Sequence, residues 1–326
     1  MTGSPILSVR GLRKEYHLKH GSFDAISDIN FDLSDGETLG LVGESGCGKS
    51  TIGRSIMQLP APTQGSVIFQ GTELTSLSHS KLVAFRRRLQ IIFQDPVSSL
   101  NPRRKVKDIV AEPLSIAGIG TRAERYEKVA EMLSAVGVDP NHAMERRPHQ
   151  FSGGQCQRIS IARALISEPK VIICDEAVSA LDVSVQAQII NLLEDMQKRF
   201  GLTLLFISHD LAVVKHISDR IAVMYLGRLC ELAPSDHIYN APAHPYTLGL
   251  ISTIPTIKGG RQAREARVGL SGELPSPLSP PSGCRFRTRC PYAQDKCARD
   301  EPLLHQIKDN HYVACHFPLM DTETQN

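Results

Sequence analysis

The sequence has no tryptophan, and aromatic residues make up only 5% of its 326 residues. It also lacks a strong charge of either sign, because 37 lysines and arginines stand against 34 aspartates and glutamates, a net charge of +3. This balance argues against a nucleic-acid partner, which selects for clustered positive charge. A hydrophobic fraction of 41% excludes a disordered chain. The length is typical of two domains with a sizeable buried core.

Long apolar runs are missing too. The longest, such as Val171 to Cys174 and Leu202 to Ile207, fall far short of the roughly 20 residues that cross a bilayer. Residues 1–20 hold several charged side chains and no apolar stretch typical of a secretion signal. We therefore expect no membrane-spanning segment and a protein that remains in the cytosol.

Cysteine and proline are scarce except near the end of the sequence. Four of the eight cysteines fall within the last 43 residues, and ten of the twenty prolines follow residue 240. Such a change in composition is typical of a domain boundary. We place the boundary near residue 240, with residues 1–240 as one domain and residues 241–326 as a proline-rich domain with few helices.

Strand-like runs alternate with helical runs through the first domain. The strand-like runs are short, apolar and rich in β-branched residues: Thr38–Val42, Leu89–Phe93, Val171–Cys174 and Thr203–Ile207. One helix is predicted between Thr121 and Gly137, where Thr121 and Glu124 match a capping box. Another is predicted between Asp182 and Gly201. The alternation predicts an α/β domain with a largely parallel sheet.

A glycine-rich motif follows the first of these runs. It matches the pattern of a phosphate-binding loop between a strand and a helix. The glycines allow successive backbone N–H groups to turn toward an anion, and the N-terminus of the next helix adds positive potential. Lys49 would reach the β- and γ-phosphates, and Ser50 would bind Mg²⁺. The predicted nucleotide-binding residues of this motif are Gly43, Glu44, Ser45, Gly46, Cys47, Gly48, Lys49, Ser50 and Thr51.

An acidic pair follows the apolar run that starts at Val171. Asp175 is predicted to hold Mg²⁺ through water, and Glu176 to polarise the attacking water, as hydrolysis of a nucleoside triphosphate requires. Two other predicted strands are followed by the polar side chains of Gln94 and His209. Because the carboxyl ends of parallel strands meet at one edge of a sheet, we expect all these side chains to converge on the phosphate site.

A second anion-binding helix start is predicted at Ser152, Gly153, Gly154 and Gln155. Bare glycines and backbone N–H groups at a helix N-terminus suit a phosphate. Because the glycine-rich loop already provides this chain's own phosphate site, the second helix start is predicted to serve a nucleotide held by another subunit. The active site would then be composite.

Together these motifs resemble the ATPase subunits of ABC transporters, over about residues 6–232. The resemblance implies ATP and Mg²⁺ as cofactors and Glu176, His209 and Gln94 as catalytic residues, with Gln94 also a Mg²⁺ ligand. It identifies residues 151–155 as the signature motif. It further implies an α/β P-loop NTPase fold with a RecA-like core, a helical subdomain at about residues 98–168 and an antiparallel β part.

Two further nucleotide contacts rest on the same resemblance. Asp182 closes the D-loop of the family, and Tyr16 matches the aromatic residue that stacks on adenine. Because Glu176, His209 and the Ser-Gly-Gly start of the signature are all intact, the sequence is that of a hydrolysing rather than a degenerate subunit.

Four more blocks are similar to the ATPases of oligopeptide and dipeptide importers: residues 94–102, 182–188, 244–247 and 270–277. This similarity implies ATP-driven dimerisation with a second ATPase, often nonidentical, beneath two membrane permeases. An extracytoplasmic binding protein would deliver the peptide, and the chain would lie at the cytoplasmic face of the inner membrane. Importers of nickel and glutathione share these blocks, so nickel and glutathione-like compounds stay open as alternative substrates. A soluble ABC ATPase clamp is a further alternative, although the two cassettes or long coiled coil typical of clamps are missing.

The last four cysteines of the sequence are Cys284, Cys290, Cys297 and Cys315. In a reducing compartment such a group indicates a metal more often than disulfides. Four thiolates suit Zn²⁺ or a 4Fe-4S cluster, and the spacing leaves both open, along with unliganded thiols. The resemblance to importer ATPases with this pattern favours 4Fe-4S. The interleaved Arg285, Arg287 and Arg289 are interpreted as a solvated basic face, with a phosphate or regulatory site as the alternative.

Overall fold

The computed structural model describes residues 4–19, 21–254 and 272–319. The strands are β1 (Leu7–Leu18), β2 (Gly21–Leu33), β3 (Thr38–Val42), β4 (Gln64–Phe69), β5 (Thr72–Glu73), β6 (Leu89–Ile92), β7 (Val171–Asp175), β8 (Thr203–Ile207), β9 (Arg220–Tyr225), β10 (Arg228–Pro234), β11 (His305–Lys308) and β12 (His311–Val313). The α-helices are α1 (Lys49–Ile56), α2 (His79–Arg86), α3 (Val106–Ile116), α4 (Arg122–Ala135), α5 (Pro140–Ala143), α6 (Gly153–Leu165), α7 (Val183–Phe200), α8 (Leu211–Ile217), α9 (Ser235–Asn240), α10 (Pro245–Ser252) and α11 (Asp295–Arg299). Among the helices in these ranges, none has the length and apolarity that a bilayer crossing requires.

The chain divides into two compact units. The first contains Leu33–Glu37, Phe69–Ile207 and the described residues before Leu7. The second contains Leu7–Asp32, Thr38–Ile68 and the described residues from Ser208 onward. These units do not separate at residue 240, since residues on both sides of that position belong to the second. A boundary near residue 240 therefore stays a prediction from composition. Leu270 and Ser271, at the start of the last importer-like block, lie outside the described residues.

The first unit is built on three parallel strands, β6, β7 and β8. Val171 of β7 pairs with Leu89 of β6 and with Thr203 of β8. Every residue of β7 and β8 is buried, as expected for a parallel strand covered on both faces. The three predicted strands are confirmed with small shifts of boundary. The most useful shift extends β7 to Asp175, which places this carboxyl group at the strand end with 1% of its surface exposed.

The two helices whose bounds are predicted, α4 and α7, begin and end where the sequence indicates. Thr121 and Glu124 form the capping box of α4, and the helix runs to Ala135. The long helix α7 ends where Gly201 adopts the left-handed conformation with φ +61°. Helices α3, α4 and α6 pack against one another between residues 106 and 165, within the range expected for a helical subdomain.

The second unit adds the antiparallel pairing that the resemblance implies. Its strands pair in the orders β11-β12-β10-β9-β3 and β2-β1-β4. Strand β3 is parallel to β9, with Val42 opposite Val223, whereas β9, β10, β12 and β11 pair antiparallel in succession. The parallel pair fixes the end of β3, from which the glycine-rich loop departs.

A buried carboxylate anchors the C-terminal segments of this unit. Glu231 in β10 is fully buried, and its carboxylate accepts the backbone N–H groups of Ala243 at 2.7 Å and His244 at 2.9 Å. Nε2 of His311 in β12 donates to the same carboxylate at 2.7 Å. A carboxylate removed from water requires such donors, so these bonds fix the chain entering α10 against β10 and β12.

His244 is predicted to make this region sensitive to acid. Its Nδ1 atom accepts the backbone N–H of Tyr246 at 3.0 Å, and burial lowers the pKa of His244 to about 4, with the Glu231 carboxylate opposing the shift. Because a histidine in an unfolded chain titrates near pH 6.5, His244 gives its full stabilisation above that pH and loses it as the pH falls toward 4. We expect this residue to remove about 2 kcal/mol from the free energy of unfolding between pH 7 and pH 5.

The measurement is the thermal midpoint at pH 7 and pH 5 of the original chain and of His244→Asn. The asparagine oxygen keeps the helix cap but does not titrate, so the variant should lose less stability on acidification. His305→Asn, at an exposed histidine of β11, serves as the matched control. An identical acid loss in all three proteins would contradict the assignment.

Candidate nucleotide-binding site

The glycine-rich loop joins β3 to α1 within the second unit. Gly43 has φ +156° and Gly48 has φ +107°, conformations that side chains rarely adopt. A Cβ atom on Gly43 would lie 2.2 Å from the carbonyl oxygen of Met224, and one on Gly48 would lie 2.4 Å from that of Ala25. Both positions therefore require glycine, which preserves the concave backbone that the motif predicts.

The lysine of the motif lies against the loop. Lys49 is the first residue of α1 and only 3% exposed. Its Nζ atom donates to the carbonyl oxygens of Gly43 at 2.8 Å and of Glu44 at 3.1 Å. Gly48 caps α1 without a side chain, so the first turn offers backbone N–H groups and one ammonium group, an arrangement suited to an anion.

The other loop residues differ in exposure. Ser45 and Gly46 are exposed, and Ser50 and Thr51 of α1 are half-buried. Cys47 is buried, and burial raises the pKa of its thiol to about 11, so the thiol stays protonated at neutral pH. Ser50, which the motif predicts as a Mg²⁺ ligand, is thus half-buried in the first turn of α1.

The first unit brings Gln94 and Glu176 together. Nε2 of Gln94, just beyond β6, donates to the Glu176 carboxylate at 3.0 Å, just beyond β7. Glu176 has φ +51°, a strained conformation for a residue other than glycine, and its N–H donates to the carbonyl of Ile207 at 3.0 Å. Strain of this kind is concentrated at functional sites. The structure therefore brings these two strand-end residues together, while their convergence on the phosphate site stays a prediction.

His209 belongs to the second unit and is exposed. The residue before it, Ser208, is buried and its N–H donates to the carbonyl of Leu41 in β3 at 3.1 Å. The residue after it, Asp210, caps α8 by accepting the N–H groups of Ala212 and Val213. The backbone on both sides of the histidine is thus fixed, by the hydrogen bond to β3 on one side and by the cap of α8 on the other, and the histidine itself is exposed.

The predicted signature begins α6 in the first unit. The Ser152 hydroxyl accepts the N–H of Gln155 at 3.3 Å, and the Gln155 side-chain oxygen accepts the N–H of Ser152 at 3.0 Å. This capping box bonds two backbone N–H groups within the motif, and the role of this helix start at a partner's nucleotide stays a prediction. A Cβ atom on Gly154 would lie 2.6 Å from Val185 of α7, so the glycine allows the two helices to pack closely.

Asp182 and Tyr16 complete the predicted nucleotide contacts. Asp182 precedes α7 in the first unit, is exposed, and makes no side-chain cap to that helix. Tyr16 lies in β1 of the second unit, half-buried, with its ring centroid 6.0 Å from that of Phe23 and Lys14 Nζ 5.5 Å away. Its stacking role stays a prediction.

The four tail cysteines line one small cavity, and all are free thiols. Burial raises the pKa of Cys284 to about 11 and that of Cys315 to about 12, so without a bound metal both thiols are protonated at neutral pH. Within the described ranges, no group of three or more histidine, cysteine, aspartate or glutamate side chains is arranged to hold a metal ion. The geometry therefore does not support the predicted 4Fe-4S cluster.

The interpretation of the tail arginines as a solvated face is wrong for Arg289. Its side chain is 5% exposed and pairs with Glu44 of the glycine-rich loop, at 2.7 Å between Nη1 and Oε2. Arg285 is also mostly covered and donates to the carbonyl of Leu226. No spacing rule joins residues 44 and 289, so sequence reasoning missed this contact.

Comparison with known proteins agrees with this geometry. The ABC transporter family profile matches residues 26–179, and the profile described as the oligopeptide/dipeptide transporter C-terminal region matches residues 230–297. The ATP-binding cassette MJ0796, solved as a dimer in a post-hydrolysis state bound to ADP and Pi, is 28% identical with a TM-score of 0.65, over 70% of this chain and 98% of that chain.

Several relatives match most of this chain and most of their own length. The oligopeptide transport ATP-binding protein AppF of Bacillus subtilis is 49% identical over 95% of this chain and 97% of its own length. The protein named OppF of Haemophilus influenzae is 51% identical over 92% of this chain and 90% of its own length, and a putative peptide import ATP-binding protein of Brucella ovis is 52% identical over 97% and 98%. This chain therefore belongs to the ATP-binding proteins of ABC transporters, in the branch that carries the oligopeptide/dipeptide transporter C-terminal region.

Proposed function

We propose that this chain is the ATP-hydrolysing subunit of an importer for oligopeptides or dipeptides. The observation that supports ATP hydrolysis is the hydrogen bond between Gln94 and Glu176 at the ends of two parallel strands. It sets an amide beside a carboxylate in a strained backbone, which are the groups needed to orient and polarise a water molecule. The peptide substrate is proposed from the C-terminal region and from the names of the relatives.

The proposed ATPase site assigns separate roles to the residues that bind phosphate, polarise water and bind Mg²⁺. Lys49 exchanges its carbonyl partners for phosphate oxygens, and the N–H groups of the loop bind the remaining oxygens. Glu176 polarises the attacking water, and His209 contacts the terminal phosphate. Ser50, Gln94 and Asp175 offer only oxygen atoms to a cation, which fits Mg²⁺, and the bound ion would supply charge neutralisation to the phosphates.

The proposed cycle requires a second ATPase subunit. Residues Ser152 to Gln155 with Asp182 would complete the partner's nucleotide site, as the glycines at the start of α6 suggest. ATP would close the two subunits together, and hydrolysis would release them. We propose that the partner is a different ATPase, beneath two membrane permeases and an extracytoplasmic peptide-binding protein, with this chain at the cytoplasmic face of the membrane.

Glu176→Gln tests the assignment of the water-polarising group. The amide cannot accept a proton, so ATP turnover should fall by about 100-fold or more while nucleotide binding persists. Purified together with its partner ATPase, the variant should accumulate in an ATP-bound dimer, measured by phosphate release and by size-exclusion chromatography with MgATP. Glu127→Gln, at an exposed position of α4, is the control and should behave as the original chain. Normal turnover by Glu176→Gln would exclude this role.

The importer assignment is tested on the complex that copurifies with this chain from gently solubilised native membranes. ATP hydrolysis by that complex should rise when peptide-loaded binding protein is added, and Glu176→Gln should abolish the rise. A rise with nickel-loaded or glutathione-loaded protein instead would change the substrate but keep the importer. Purification only from the soluble fraction, with hydrolysis in the absence of permeases, would favour the clamp alternative.

A 4Fe-4S cluster on Cys284, Cys290, Cys297 and Cys315 is a separate proposal, supported by their shared cavity and opposed by the lack of a ligand arrangement. We expect an anaerobically purified chain to contain iron and sulfide and to absorb in the visible range, and Cys290→Ser to lose both. Zinc without sulfide would identify a zinc site. Absence of iron, zinc and sulfide would leave four free thiols.

A further inference from the structure

Glu44, which follows Gly43 in the glycine-rich loop, is hydrogen-bonded to the C-terminal region. Nη1 of Arg289 donates to Glu44 Oε2 at 2.7 Å, and Nη2 of Arg289 donates to Oε1 at 3.0 Å. Both carboxylate oxygens are therefore bound by one guanidinium group in the two-pronged geometry that makes such pairs strong. The two residues are 245 positions apart in the sequence.

The guanidinium group of Arg289 is itself fixed by aromatic rings. It lies 5.8 Å from the ring centroid of Tyr225 and 3.5 Å from its hydroxyl oxygen. The ring of Tyr225 packs on Tyr246 at 4.7 Å and on Phe286 at 5.2 Å between centroids. Since the Arg289 side chain is only 5% exposed, its position is set by packing and not by solvent.

Glu44 is bound through its backbone as well. The Glu44 N–H donates to the hydroxyl oxygen of Tyr246 at 3.0 Å, and the Glu44 carbonyl accepts from Lys49 Nζ at 3.1 Å. Two of its four partners, Tyr246 and Arg289, therefore come from beyond residue 240. The other two lie in the motif: the lysine that it assigns to the phosphates, and Cys47, whose N–H donates to the Glu44 carbonyl at 3.2 Å.

The charge of Glu44 explains why such a partner is needed. The ligand of this loop is a polyanion, and a carboxylate within the same loop repels it. The Glu44 side chain is 26% exposed, so solvent screens only part of its charge. Arg289 donates to both oxygens of this carboxylate and so offsets its charge.

We propose that Arg289 is a positioning residue for nucleotide binding: by pairing with Glu44 it neutralises the one carboxylate of the loop, so that nucleotide affinity depends on the C-terminal region. This inference rests on the proposed function, because it concerns the same ATP site. Arg289 acts through Glu44 and does not touch the attacking water, so its loss changes ATP binding and not the rate of hydrolysis at saturating ATP.

The experiment is an equilibrium titration of the full-length chain with MgATP and with MgADP at low ionic strength. Arg289→Ala should weaken ATP binding by about tenfold, the effect of one unpaired charge at the effective dielectric of a protein surface. The loss should be smaller for ADP, which carries less charge, and smaller at high salt. In ATPase assays KM should rise with kcat unchanged.

The double variant Glu44→Gln/Arg289→Ala separates charge compensation from a structural role. Removing the carboxylate as well should bring the ATP affinity back to within about threefold of the original chain, since no charge remains to compensate. Arg289→Lys keeps the positive charge but cannot bind both carboxylate oxygens in the same two-pronged geometry, so it should give an intermediate loss of ATP affinity. Arg287→Ala, which removes hydrogen bonds to Ser282 and leaves the pair of Arg289 with Glu44 in place, is the matched control and should bind ATP as the original chain does.

Each outcome decides a different question. Unchanged affinity in Arg289→Ala, or a double variant that binds as weakly as the single one, would overturn the role of Arg289. An equal loss for ATP and ADP would overturn the electrostatic explanation. Failure of the original chain to bind MgATP at all would instead overturn the proposed function, so the two failures are distinguishable.

Discussion

The conformation of the glycine-rich loop depends on the close approach of its backbone to the backbone carbonyl groups of Met224 and Ala25. Gly43 and Gly48 pass so near to carbonyl oxygens that no side chain fits at either position. The parallel pairing of β3 with β9 makes this approach possible, because it fixes the end of β3 beside the strand that contains Met224. The ammonium of Lys49 and the start of α1 take their places from that constraint.

The C-terminal region belongs to the same packed unit as this loop. Buried Glu231 fixes the chain before α10, α10 supplies Tyr246, and the tail supplies Arg289, so both groups reach Glu44 from a rigid base. The profile of the oligopeptide/dipeptide transporter C-terminal region covers residues 230–297, which include all three. Residues of this C-terminal region are therefore in physical contact with the glycine-rich loop, which lies within the range of the ABC transporter profile.

The first unit is organised by a different requirement. Buried parallel strands need no polar side chains along their length, so the polar residues follow where the strands end. Gln94 and Glu176 meet there because β6 and β7 are neighbours in register. At the start of α6, by contrast, Ser152 and Gln155 bind each other's backbone, so this helix is stabilised locally and packs on α7 through Gly154.

The sequence by itself determined the features that depend on neighbouring residues: the apolar strands, the capping box of α4, the stop at Gly201 and the glycine-rich loop between a strand and a helix. These are local because a few consecutive residues satisfy their backbone hydrogen bonds. The sequence also predicted that Gln94 and Glu176 would converge, and the structure supplied the hydrogen bond between them. The division of the chain into two units and the pairing of Arg289 with Glu44 were decided only by the tertiary structure. Such contacts join residues far apart in the sequence, and their geometry follows from the packing of whole strands and rings, which no local spacing encodes.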